Sequence, residues 1–521
     1  MKHFAALLDR LSYQPQRNAK LVQLADYFAH TPDPDRGYAL AALTGALDFA
    51  HAKPAMIREL ATAHTDAVLF GLSYDFVGDL AETVALIWPK NESTVAVPSL
   101  SEVIATLRAT KKSEVPKLLA GWLDTLDATG RWALMKLLTG ALRVGVSARL
   151  AKTALPQFGK VEVAEIEEVW HGLEPPYTDL FAWLTGAGPR PDPKGRAAFR
   201  PVMLAHALDE TDLPSMNPAD YAAEWKWDGV RIQIVGENNR ARLYSRTGDE
   251  MTSALPDLMD FCPTDATLDG ELLVIRDGVV APFADLQKRL NRKTVSAELL
   301  RTMPVGVRLY DILAESGEDV RALPFAQRRQ RLGAWFARQN RPRFDISAPV
   351  PFATWDDLAT KRAENTTIGV EGLMLKRLDS PYVAGRPTGP WWKWKRDPRT
   401  ADAVLMYAQR GHGKRSSYYS DYTFGVWNGA DLVPVGKAYF GFTDEELRQI
   451  DRWVREHTTN KFGPVREVEP GLVFEVAFEG LQRSTRHKAG LAMRFPRISR
   501  IRWDKPFGEA DTLETLERML G

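Results

Sequence analysis

The chain has 521 residues, of which 45% are hydrophobic and 26% charged, with 68 Lys and Arg set against 67 Asp and Glu for a formal net charge of +1. That length predicts about three domains rather than one core. The balanced charge excludes a globally basic nucleic-acid binder but not local phosphate-binding clusters, which stand at 393–399, 410–415 and 483–505. Cys262 is the only cysteine, so an intrachain disulfide and a cysteine-based zinc site are both excluded. No apolar run reaches the roughly eighteen residues of a membrane span. The expectation is a soluble, cytoplasmic protein without a membrane partner.

Residues 1–185 read as helical. Phe4, Leu7, Leu8 and Leu11 recur at helical spacing, as do Leu21, Leu24, Ala25 and Phe28, and again Leu118, Leu119, Trp122, Leu123 and Leu126 behind Pro116. A bundle of short helices follows, expected over 1–190. Within it, Gly140 and Gly145 weaken a helix unless the backbone must approach something. Gly145 followed by Ser147 is suited to open the next helix with free N–H groups, a natural phosphate site. The alternative is a helix–helix turn closed by a C-cap glycine. The Pro/Gly-rich segment 186–195 reads as a linker.

From 200 to 398 short alternating strands with helices between them predict an α+β domain. Glu224-Trp225-Lys226-Trp227-Asp228-Gly229-Val230-Arg231 opens it, and Val230, Ile232 and Ile234 run into a turn at 236–239 and a return strand. Strands are expected at 268–275 and 305–312, and a helix at 322–339. From 399 to 521 strands are expected at 404–407, 423–427, 432–440, 472–478 and 498–503, with Asn428-Gly429 as a hairpin and Thr443 capping a helix to about residue 456. A short helix is expected at 511–520. Five or so strands with one inserted helix suit an OB-fold, a barrel whose face fits nucleic acid.

Lys226 between two indoles is the candidate nucleophile, since apolar walls and nearby positive charge or metal lower a lysine's pKa. A half-buried strand with a solvated lysine is the plainer reading. Partners then follow in order: Ser245-Arg246-Thr247-Gly248, Leu268-Asp269-Gly270-Glu271-Leu272, Tyr310-Asp311, Val370-Glu371-Gly372-Leu373-Met374, Trp392-Lys393-Trp394-Lys395, and Arg494-Phe495-Pro496-Arg497 through Arg502-Trp503-Asp504-Lys505. Glu271 and Glu371 lie in apolar strands, where an unpaired carboxylate is costly, so a metal or ribose contact is expected. A salt bridge from Glu371 or Glu271 to Arg246 or Lys393 would also serve. Lys393 and Lys395 alternate with Trp392 and Trp394, which places both cations on one side of a strand.

This series resembles the nucleotidyltransferase motifs of the three-domain ATP-dependent DNA ligases, and with the N-terminal segment the resemblance covers nearly the whole chain. It implies a multidomain protein: an all-α DNA-binding domain, an α+β nucleotidyltransferase (adenylation) domain, and an all-β OB-fold domain. It implies that Lys226 takes AMP from ATP as a phosphoramide, passes it to the 5′-phosphate of a nick in duplex DNA, and that the 3′-hydroxyl displaces it. By resemblance, Glu224 contacts adenine, Arg231 and Arg246 hold ribose and phosphates, Tyr310 stacks on adenine, and Lys393 and Lys395 face the α-phosphate. Glu271 is placed at ribose and metal and Glu371 at the divalent metal, Mg2+ or Mn2+. Arg494, Arg497, Arg502 and Lys505 orient the leaving pyrophosphate, with 396–399 as a hinge, and 482–488 serves closure or DNA backbone. The Arg143, Gly145 and Ser147 turn resembles one that contacts minor-groove backbone. A monomer encircling nicked DNA is expected, with protein partners not indicated. An RNA ligase, an NAD-dependent ligase and an inactive nick-binding scaffold are the alternatives. The single cysteine removes the tetracysteine zinc site of the NAD-dependent plan, and the long helical segment before Lys226 disfavours an RNA ligase.

Overall fold

A computed structural model describes residues 1–520 apart from 50, 90–95, 141, 193–196, 291–294, 340, 411–417 and 485–486. The last part of the 186–195 linker, most of the 410–415 basic cluster and the centre of 482–488 therefore lie outside the described residues. Two compact units are present: Met1–Phe158 with Asp397–Gly521, and Gly159–Arg396.

In the first unit, the elements described in the N-terminal part are all helices, from Lys2–Tyr13 to Ala148–Phe158. The leucines spaced for burial are buried: Leu7, Leu8, Leu11, Leu24, Leu119 and Leu123 have no exposed surface. Local chemistry sets the helix ends. Ser99 and Glu102 form a capping box on Leu100–Ala109, and Asp127 caps Ala128–Thr139, which ends on left-handed Gly140.

The C-terminal part is a β-structure wrapped around one apolar core that includes Leu405, Phe424, Val435, Ile450, Phe474 and Ile498. Arg399–Arg410 is its spine, paired with Tyr419–Asn428 on one side and on the other with Val473–Phe478 and then Val465–Val468. Asp431–Ala438 completes the Asn428-Gly429 hairpin. Thr443 and Glu446 form a capping box on Asp444–Glu456. Beyond the five expected strands there are two hairpins, Thr458–Phe462 with Val465–Val468 and Gly480–Arg483 with Leu491–Arg494.

The second unit carries two mainly antiparallel sheets, each with one short parallel strand at its edge, His206–Ala207 beside Trp391–Lys395 and Phe344–Ile346 beside Val305–Glu315. In one, the Lys226 strand Tyr221–Trp227 lies between Pro349–Val350 and the Glu371 strand Val370–Arg377, which pairs in turn with Trp391–Lys395. In the other, Val230–Glu237 lies between Arg240–Ser245 and the Glu271 strand Ala266–Arg276, followed by the Tyr310 strand Val305–Glu315. The chain crosses from one sheet to the other at Asp228-Gly229. A Cβ on Gly229 would meet Glu271 Cγ at 2.8 Å, so only glycine lets the sheets approach there. The expected helix at 322–339 spans Phe325–Ala337 behind Pro324. Helices Val163–Val169 and Thr178–Leu184 also belong to this unit.

Candidate active site

Register decides what meets on the first sheet. Gly372 pairs with Lys226 and with Lys395, Met374 with Glu224 and with Lys393, and Lys376 with Trp391. Side chains alternate along a strand, so Lys226, Glu224, Met374, Lys376, Trp391, Lys393 and Lys395 share one face. The other face carries Ala223, Leu373, Leu375 and Trp394, packed with Leu358 of helix Trp355–Glu364. Glu371 has the wrong parity for the lysine face in a regular strand. A β-bulge between Val370 and Gly372 turns it round, and a Cβ on Gly372, at φ 146°, would meet Lys395 Cα at 2.8 Å.

The second sheet contributes Arg231, Glu271 and Tyr310. Together the two sheets line a cavity of about 370 Å³ that takes in Glu224, Lys226, Arg231, Arg246, Glu271, Tyr310 and Lys393. Glu371 and Lys395 adjoin it through ion pairs: Lys226 Nζ is 2.6 Å from Glu371 Oε2, and Lys395 Nζ is 3.7 Å from the same oxygen. Glu371 thus pairs with Lys226 and Lys395, cations other than the Arg246 or Lys393 named as the alternative to a metal or ribose contact.

The charge state of Lys226 corrects the expectation of a depressed pKa. Burial lowers it, but the Glu371 carboxylate, helped by Glu271 and Asp228, more than reverses this and holds the ammonium above its ordinary value. Glu371 is held below the usual carboxylate range, its burial being overcome by Lys226 and Lys395. Glu271 is pushed up to about 8 by burial, which Lys226 and Arg231 only partly offset while Glu371 and Asp269 add to it. Lys393 is lowered by burial and by its neighbours Arg386, Lys395, Lys226 and Arg246, so one end of the cavity gathers cations suited to phosphates.

Rigid partners hold these groups. Arg231 bonds both oxygens of the fully buried Asp269, at 2.9 and 2.5 Å, and donates to Met203 O and Tyr382 Oη. Tyr310 faces the cavity while Asp311 points to the opposite side, where it holds Arg328 of helix Phe325–Ala337 in a fully buried pair at 2.9 Å. Lys376, Arg386 and Trp391 line the cavity without having been singled out from sequence. Lys376 is 1% exposed, 3.2 Å from Glu224 Oε2, with its Nζ 4.5 Å from the Tyr310 ring centroid. The signal was period two: Trp391 precedes Lys393, and Lys376 follows Met374, by two residues on the same face.

The remaining residues lie in the other unit. Arg502 and Lys505 both bond Asp402, at 3.2 and 2.7 Å, and Arg502 also pairs with Asp504 at 2.9 Å. Arg494 and Arg497 flank left-handed Phe495 at the junction of strands Leu491–Arg494 and Arg497–Arg502. Arg143 (φ 50°) and Gly145 (φ 67°) are both left-handed, and Ser147 Oγ accepts from Leu150 N at 3.2 Å to cap Ala148–Phe158.

Among the described residues no three His, Cys, Asp or Glu side chains converge into a closed metal site. Glu271 and Glu371 fit a divalent cation of the kind that keeps open positions for substrate oxygens: they are hard oxygen donors beside one cleft, and the Glu371 carboxylate adds to the upward push on Glu271.

Comparison with known proteins identifies a family. The family model described as ATP dependent DNA ligase domain matches residues 202–395, and that described as ATP dependent DNA ligase C terminal region matches 415–505. A probable DNA ligase of Koribacter versatilis is 34% identical over 457 residues, spanning 82% of this chain and 78% of that protein. DNA ligase 1 of Korarchaeum cryptofilum is 28% identical over 550 residues, spanning 100% of this chain and 98% of that protein. The solved structure described as Pmar-Lig_PreS3 is similar in fold, with a TM-score of 0.60 at 16% identity over 96% of this chain and 99% of that one.

Proposed function

Because this chain belongs to the ATP-dependent DNA ligases, we propose that Lys226 carries AMP while the enzyme seals nicks in duplex DNA. The enzyme uses ATP and acts through a covalent adenylate. In the first step the Lys226 ammonium gives up a proton to solvent, the freed Nζ lone pair forms a bond to the α-phosphorus, and the bond to pyrophosphate breaks. The observation that carries this reading is the convergence of Lys226, Glu224, Arg231, Arg246, Glu271, Tyr310 and Lys393 on one cavity.

Each residue takes a role that its chemistry allows. Tyr310 stacks on the adenine, and the Glu224–Lys376 pair reads its edge. Arg231, fixed by Asp269, and Arg246 hold ribose and phosphates. Lys393 and Lys395 face the charge that develops at the α-phosphate. Glu371 accepts the hydrogen bond from the Lys226 ammonium and keeps the nitrogen aimed across the cleft. Glu271 and Glu371 would hold Mg2+, which when bound neutralises the two carboxylates and so weakens their hold on the Lys226 proton. Arg494, Arg497, Arg502 and Lys505 are assigned to the leaving pyrophosphate, for which Arg502 and Lys505 must release Asp402. Arg143, Gly145 and Ser147, in the helical domain, are assigned to DNA backbone, with one chain acting per nick.

Incubation with ATP labelled on the α-phosphate, followed by denaturing electrophoresis, tests the central assignment. Lys226→Ala is expected to take no label yet to bind nicked duplex as the unaltered enzyme does. A labelled Lys226→Ala chain would remove Lys226 from the nucleophile's place.

A further inference from the structure

Lys20, on helix Arg17–His30, is 7% exposed, and its Nζ donates to Val144 O at 2.5 Å across 124 residues of sequence. Among the described residues no carboxylate pairs with it. A buried ammonium with one carbonyl for company is costly, and proteins keep such a charge when something else supplies the anion. Burial alone accounts for the lowering of its pKa, with no acid to oppose it. The group lies against the turn formed by left-handed Arg143 and Gly145, immediately before the Ser147-capped helix Ala148–Phe158. A Cβ on Gly145 would run into Lys20 Nζ. The glycine therefore serves Lys20 as much as it serves the turn.

We propose that Lys20 is a positioning residue of the DNA-backbone turn: it fixes the Val144 carbonyl, and with it the path from Arg143 to Ser147, and its ammonium lends an uncompensated positive charge to the DNA phosphate docked there. This rests on the reading above that the turn meets DNA. The carbonyl tether orients the turn, since the ammonium draws Val144 O inward and leaves the following backbone to face a ligand. The charge acts through the turn at short range in a poorly solvated setting, where it is screened less than a surface lysine's.

The test is nick affinity as a function of salt, read alongside self-adenylation, for Lys20→Gln, Lys20→Met, Lys20→Arg and Arg143→Ala. Lys20→Gln still donates to Val144 O but carries no charge. It is expected to weaken nicked-duplex binding roughly threefold to tenfold and to lower the slope of log K against log salt by about 0.9, one phosphate's share. Lys20→Met is expected to lose more, because the tether goes too, while Lys20→Arg recovers most of the affinity and the slope. Self-adenylation, which does not involve this turn, is expected to be unchanged. Should Lys20→Met unfold, the Gln variant alone decides. Lys20→Gln with unaltered affinity and slope, beside an Arg143→Ala that binds weakly, would overturn the role of Lys20 while leaving the turn in place. Unaltered binding by both would overturn the turn's assignment itself.

Discussion

Lys376 shows how much of the site depends on one side chain that no motif flagged. It is buried beneath Tyr310 and Trp391 and paired with Glu224, itself 3% exposed. Lys376→Met strands a buried carboxylate, so urea unfolding is expected to show a loss of about 3–5 kcal/mol. Lys376→Met with Glu224→Gln removes the stranded charge and is expected to recover most of it while ATP affinity stays low. If the double variant is no more stable than the single one, the pair is not what holds this corner. Tyr310→Ala is expected to weaken ATP by about 1–3 kcal/mol and Tyr310→Phe to leave it unaltered, because stacking needs the ring and not the hydroxyl; equal losses would point to the hydroxyl instead. Lys393 was legible because it sits in a strand whose alternation can be read directly, Lys226 because two indoles flank it, and Tyr310 only through the family resemblance. Glu371 was legible as a misplaced carboxylate, but its partner was not, since the bulge that turns it toward Lys226 has no sequence signature beyond Gly372. The protonation of Lys226 was misread for a related reason: the flanking indoles are visible in sequence, whereas the approach of Glu371 depends on pairing across 145 residues.

Elements were legible where capping and apolar spacing agreed. Thr443 with Glu446 and the Asn428-Gly429 turn are such cases, and helix and hairpin are where those signals put them. The hairpin Thr458–Phe462 with Val465–Val468 went unseen because Thr-Thr-Asn-Lys-Phe is polar and mostly exposed, leaving no apolar alternation to detect. In the helical domain one residue ties an element to its neighbour. Asp79 caps helix Leu80–Ile87, accepting from Glu82 N at 3.1 Å, and pairs with Lys136, which is 5% exposed, at 2.6 Å. Asp79→Ala removes a cap and leaves a buried ammonium, so a loss of about 3 kcal/mol is expected in urea unfolding. Burial raises the Asp79 pKa, but the Lys136 and backbone hydrogen bonds lower it further, so the carboxyl lies below its ordinary value. A depressed carboxyl stabilises the fold above its unfolded pKa, about 3.9, and the contribution fades as pH falls through the folded value. The difference between the unaltered chain and Asp79→Ala is therefore expected to hold constant from about pH 5 to 7 and to shrink below about pH 4. A difference that grew on acidification would contradict the pairing.

At the scale of the molecule, the contiguous stretch Gly159–Arg396 carries both sheets and the whole cavity, and its first two helices are part of it. The Pro/Gly composition at 186–195 drew attention to itself as a linker, but what fastens the preceding helices is long-range. Glu168 pairs with Arg321 at 2.9 Å, and the His171 ring lies 4.7 Å from that of Tyr244, against Phe199. None of these contacts has a local signature, so composition alone does not register them. Two truncations separate the possibilities. A chain starting at residue 159 keeps Glu168 and His171 and is expected to melt several degrees higher than one starting at 186, because a loss of about 1 kcal/mol moves a domain of this size by roughly 2–4 °C. Both lack Arg143, Gly145 and Ser147, and both are expected to bind nicked duplex weakly and with a flatter salt dependence. Self-adenylation is expected to persist in the longer fragment, since every residue assigned to AMP transfer remains. Equal melting of the two fragments would return the boundary to the proline-rich segment. Nick affinity undiminished in both would take DNA binding away from the helical domain.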